Sequence, residues 1–228
     1  MKEATSESGV EKQETDLAAD LRTRGCAVCN HVIKTARDFF AQWQYVLSSD
    51  EQARESFAVE LGFCPRHAWQ LHNMSSPWGE SIGLAALTES LSRLLAKTEC
   101  DETASSSVGK ILRAPENCRV CAMLMDAEAA YTKRLAIFIS DEEGAQSYKC
   151  SQGVCLRHLA RVLAIASEPV REFLLTTASR RFKQIALQMR NYAAKREAIR
   201  RDLISADEED AYLRALIHLA GANEYSAP

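Results

Sequence analysis

The chain has 228 residues, 46% of them hydrophobic and 26% charged, with a net charge of −3 and a pI near 6.0. That is room for one substantial domain or two small ones, and so mild an acidity gives no global pull toward nucleic acid or an anionic membrane. There is no apolar run of the ~18 residues a spanning helix needs, and the polar start MKEATSESGVEKQETD lacks the apolar stretch of a secretory signal. A cytoplasmic location is therefore expected. In that setting eight cysteines read as reduced thiols on metal rather than as disulfides.

In chain order, residues 1–15 are expected to be disordered, and a first metal-binding helical repeat occupies 16–100. It opens on GCAVC, with Cys26 and Cys29. Val28, Val32, Ile33, Ala36, Phe39, Phe40, Trp43 and Val46/Leu47 then recur at three and four residues, one face of a helix. Ser49 and Gln52 have capping-box spacing for a shorter second helix. Gly62 is placed to end it with a positive φ, and GFCPRH follows, with Cys64, His67 and a first-turn Pro65. After an interruption at SSPWG, Ile82, Leu84/Ala85, Leu87, Leu91 and Leu94/Leu95 mark another helix.

DETASSSVGK, within 101–114, reads as a linker. A second metal-binding repeat over 115–205 writes the unit again. NCRVC supplies Cys118 and Cys121, and GVCLRH supplies Cys155 and His158. The paired motifs are separated by 34 residues in the first repeat and 33 in the second. Ser140 with Glu143 repeats the capping spacing, and a long helix over about 169–203 closes the repeat. Residues 206–228 form an acidic, helical tail. No sustained period-two stretch argues for strands, so the fold class is all-α: pseudo-duplicated helical hairpins, each stapled by a Cys₃His metal site.

The chemistry follows from the spacing. C-x-x-C aims two sulfurs inward from a tight turn, and C-x-x-H at a helix start adds a thiolate and an imidazole one turn on. Three thiolates and one imidazole complete a closed tetrahedral zinc shell. Two zinc ions per chain are expected, with 4Fe–4S clusters as the alternative and thiol–disulfide redox as a lesser one. A helix over 28–47 runs ~30 Å and its return over 50–61 ~18 Å, with an extended link adding ~10 Å. On that estimate each hairpin closes its own site, Cys26 and Cys29 with Cys64 and His67, Cys118 and Cys121 with Cys155 and His158. Exchange of ligand pairs across the pseudo-two-fold is the other pairing.

Outside the pattern, Cys150 aligns with Val59 and reads as a small core residue, with a functional thiol as the sharper alternative; Cys100 has no counterpart. His31 and His72 read as surface or supporting residues. Arg66 and Arg157, between Cys and His, read either as donors near the thiolates or as solvated. The basic stretch 180–201 (Arg180, Arg181, Lys183, Arg190, Lys195, Arg196, Arg200, Arg201) invites a nucleic-acid reading, which its apolar stripe counters. Paired carboxylates, a nucleophile–base arrangement and a phosphate loop are not recognisable, and a closed shell keeps no open position, so an enzyme is not favoured.

On GCAVC, GFCPRHAWQL with WGESIGLAALTESLSRLL, NCRVC and GVCLRHLARVL, residues 24–190 resemble an uncharacterised bacterial family of helical proteins with duplicated C-x-x-C and G-L/F-C-x-x-H motifs, a domain of unknown function. The resemblance implies the helical fold and the metal ligands, and no activity. The reading overall is a metal-binding accessory or protein-interaction protein. Its alternatives are an iron–sulfur redox, sensor or metalloenzyme-maturation protein and a nucleic-acid-binding regulator.

Overall fold

The computed structural model describes residues 17–111, 114–197 and 203–221; the expected disordered tail at 1–15 lies outside them. Among the described residues every regular element is helical. The chain runs through α1 (17–22), α2 (Ala27–Ser49), α3 (Glu51–Val59), α4 (Pro65–Met74) and α5 (Pro77–Ala96). It continues through α6 (Ala104–Ile111), α7 (Arg119–Phe138), α8 (Glu142–Cys150) and α9 (Leu156–Ile165), then α10 (Glu168–Glu197), α11 (Ala206–Glu209) and α12 (Ala211–Ala220). Part of the expected linker is thus helical, as α6.

Local chemistry explains the boundaries. Asp50 and Asp141, not the preceding serines, cap α3 and α8, their carboxylates accepting from the Ala53 and Gly144 amides at 3.2 and 2.7 Å. Asp caps as well as Ser, and Ser49 and Ser140 instead donate back to the Tyr45 and Ile137 carbonyls. Gly62 and Gly153 take φ of +74° and +78°, the left-handed turn that glycine tolerates best. Each hands the chain to a helix with a cysteine at its N-cap position, Cys64 before α4 and Cys155 before α9.

The chain divides into two compact units that do not follow the sequence repeats. The first joins residues 17–31 to 128–221, and the second comprises 32–127; α2 and α7 contribute to both. In the first unit Leu17, Leu21, Val28, Tyr131, Leu135, Tyr148, Leu159, Val162 and Leu174 form one core. Buried Tyr131 donates to Asp20 at 2.9 Å and stacks on His31. Helix α10 packs against α9, α11 and α12. The second unit is built on aromatic contacts, Phe63 meeting Phe40, Phe57 and Trp43 within 6.1 Å, and α3 packs on α5.

Candidate metal centres

The eight residues of the two motifs gather into two buried groups of four, and the gathering exchanges the repeats. Cys26 and Cys29 meet Cys155 and His158 (site I), while Cys64 and His67 meet Cys118 and Cys121 (site II). The within-repeat pairing expected from hairpin length is overturned. Helix α2 has 23 residues and α3 only nine, about 34 Å out and 14 Å back. The return therefore stops short of the start of α2. Phe63 and His67 pack against Phe40, ~20 Å into α2, where the start of α7 lies close by, with Arg119 stacked 3.8 Å over Trp43.

In each group the ligand atoms all lie within 4.8 Å of one another. At site I, His158 Nδ1 stands 3.3, 3.4 and 3.1 Å from the sulfurs of Cys26, Cys29 and Cys155, and Cys29 and Cys155 are 3.9 Å apart. At site II, His67 Nδ1 is 3.3, 3.5 and 3.3 Å from Cys64, Cys118 and Cys121, with Cys64 and Cys121 3.7 Å apart. All eight cysteines are free thiols, and such sulfur spacings are far beyond a disulfide bond. Three sulfurs and one ring nitrogen lie together in each group, which could hold a metal ion.

The electrostatics explain why a cation suits them. Burial, then the neighbouring sulfurs Cys155 and Cys29, push Cys26 well above an ordinary thiol. Burial, then Cys118 and Cys64, push Cys121 up to about 12. Cys118, which burial alone would raise, is drawn down to about 6 by hydrogen bonds from His67 and the backbone. Packed thiols that resist joint ionisation are what a bound cation stabilises as thiolates.

Beyond the ligands, the two groups differ. His158 Nε2 lies 2.8 Å from Glu128 Oε1, and the fully buried Glu128 is in turn paired with Arg161 at 2.7 Å and Arg157 at 3.9 Å. Burial opposes protonation of His158, but its hydrogen bonds to Cys155, Cys29 and Glu128 raise it to about 10. Helix α12 also covers site I: a β-carbon on Gly221 would lie 3.5 Å from Cys29 Sγ and 3.9 Å from Cys155 Sγ. At site II, His67 Nε2 is buried and has no hydrogen-bond partner among the described residues.

The other singled-out residues take no part in either group. His72 pairs with Glu80 at 2.8 Å. Cys100 and Cys150 are exposed, and so is Val59, at 81%. The core role expected for Cys150 is thus corrected, because the last turns of the short α3 and α8 turn these positions outward. In the basic stretch, Arg181 donates to the Tyr148 and Ser151 carbonyls and Lys195 to Glu208 and Leu203; residues 198–201 lie outside the described residues. Glu128 was missed in the sequence although it left a signal. It is a charged residue on the stripe Leu124, Glu128, Tyr131, Leu135, where every other position is apolar and buried.

Comparison with protein-family models, curated proteins and solved structures finds no match for this chain. No helix among the described residues is long and apolar enough to cross a membrane.

Proposed function

We propose that the protein binds two zinc ions, one in each Cys₃His group, as parts of its fold, and acts as an accessory protein that presents helices to a protein partner. The ligand spacing carries the metal assignment. Zn–S bonds of ~2.3 Å and a Zn–N bond of ~2.05 Å in a tetrahedron separate sulfurs by about 3.8 Å and sulfur from nitrogen by about 3.6 Å. One sulfur pair in each group stands at 3.9 and 3.7 Å, the sulfur–nitrogen pairs lie between 3.1 and 3.5 Å, and every ligand atom is within 4.8 Å of the others in its group. An iron–sulfur cluster interposes several iron and sulfide atoms between its protein ligands, which groups this tight do not favour. The closed shells leave no position for substrate, which supports a structural role over catalysis.

The interaction role rests on exposed apolar side chains, among them Tyr45, Trp69 and Trp78 and, on α12, Tyr212, Leu216 and Leu219. The engagement of Arg181 and Lys195 within the fold speaks against a nucleic-acid groove along α10. Metal analysis of protein purified without oxygen tests the assignment: colourless protein with two zinc per chain supports it. Iron in stoichiometric amount, with absorbance near ~400 nm, replaces zinc by the cluster reading.

A further inference from the structure

We infer that the two centres hold metal unequally: site I keeps its ion, site II exchanges its own, and Glu128 is the positioning residue that separates them. The inference rests on the metal-binding reading above and adds to it which site is open to exchange. An imidazole that binds metal through Nδ1 must carry its proton on Nε2, and a partner for that proton fixes both tautomer and ring orientation. Site I has such a partner in Glu128, 2.8 Å from His158 Nε2. Arg161 and Arg157, 2.7 and 3.9 Å from that buried carboxylate, hold it in place.

The corresponding positions at site II have lost this arrangement. Glu128 lies ten residues beyond Cys118, and ten beyond Cys26 stands Ala36, a buried methyl. Arg161 lies six residues beyond Cys155, and six beyond Cys64 stands Gln70. Both His67 Nε2 and Gln70 Oε1 are buried and without hydrogen-bond partners among the described residues. The ligand sets are the same in type and nearly so in spacing, so the groups behind the ligands make the difference. Gly221, at the end of α12, lies beside Cys29 and Cys155 and adds cover at site I. Loss of such an outer partner costs ~10–100-fold in metal affinity.

The test uses the full chain loaded with zinc and challenged with excess chelator, release being followed with a metallochromic indicator. Two phases of one equivalent each are expected, their rates differing ~10–100-fold, the same span as the affinity effect. Alkylation with N-ethylmaleimide during the challenge, read by peptide mass spectrometry, assigns the phases in the unmodified sequence. The exposed Cys100 and Cys150 should react at once, Cys64, Cys118 and Cys121 with the fast phase, and Cys26, Cys29 and Cys155 with the slow one. Glu128→Gln, which keeps shape and a hydrogen-bond acceptor, should accelerate only the slow phase, and Glu128→Ala should accelerate it further. A single release rate, or alkylation of the site I cysteines first, overturns the inference while leaving two-zinc binding intact. Protein that takes up no metal overturns the binding reading itself.

Discussion

Sites I and II use the same ligand types, three cysteines and one histidine, yet they are embedded differently. Site I ties Cys29 to Cys155 across 126 residues of chain and site II ties Cys64 to Cys121 across 57. With loop-closure cost growing as (3/2)RT ln n, the longer tie costs only about 0.7 kcal/mol more to close. The larger difference lies behind the ligands: a salt-bridged carboxylate and a covering helix at one site, a methyl and an orphaned ring nitrogen at the other. Duplicated ligand motifs therefore need not make duplicated sites: on the inference above, residues behind the ligands would set how each ion is held.

Removing a ligand should break the comparison most visibly. Structural zinc contributes apparent binding energies of ~10–16 kcal/mol that are also folding energy. Cys26 and Cys29 lie inside the main core of the first unit, beside Val28, Tyr131 and Leu159. Cys26→Ser should therefore abolish cooperative melting of that unit. Cys64→Ser should release one zinc and leave a melting transition from the first unit. Circular dichroism melts read together with zinc content measure both, and equal loss from the two variants would remove the asymmetry.

The next effect in size concerns the matched helix starts. Gly144 and Ala53 occupy the same place, three residues after the capping Asp141 and Asp50. A β-carbon on Gly144 would lie 1.7 Å from the Phe138 carbonyl oxygen, a backbone atom that cannot swing aside. Gly144→Ala should cost ~3 kcal/mol or more by forcing the backbone apart. The reverse change at the other copy, Ala53→Gly, should cost only ~0.5–1 kcal/mol of helix propensity. Paired denaturant melts of the two variants check the contrast.

These contrasts show where sequence reading stopped. The ligands were legible because their chemistry demands fixed types at fixed local spacing, and the helices because periodicity and capping are local. The pairing of the four half-sites was not legible, since it hangs on the difference between a 23-residue helix and a nine-residue return. A few residues of boundary error in that difference move Cys64 by a whole site. The cap shift from Ser49 to Asp50 is the same kind of error. Glu128 could have been suspected from its place on an apolar stripe, but its partner His158 lies 30 residues away and belongs to a pairing the sequence left open.

A smaller effect is expected at Arg119, which helps to anchor the start of α7 in the second unit. Its guanidinium lies 3.8 Å over Trp43 and 3.6 Å from Glu60. Arg119→Met keeps much of the stem and removes the cation, so ~1–2 kcal/mol should be lost. If Arg119 also screens site II, the fast phase of zinc release should quicken while the slow phase stands still. A change in the slow phase alone would detach Arg119 from site II.

The mildest contrast is in pH. Buried His218 on α12 lies with its Nδ1 3.3 Å from the Val154 carbonyl. Burial pushes its pKa down, and that hydrogen bond opposes the shift only in part. Because the folded-state value is depressed, the unfolded chain takes up the proton first. The contribution of His218 is therefore whole above its unfolded value of ~6.5 and falls away as the pH drops below it. Acid also protonates thiolates at both sites, but His218 packs only in the first unit. Protection of the α12 amides from hydrogen exchange, corrected for intrinsic rate, should decline below pH ~6.5, before zinc leaves either site. His218→Gln should flatten that decline without altering zinc content. A decline that persists in the variant would assign the loosening of α12 to the thiolates beneath it instead.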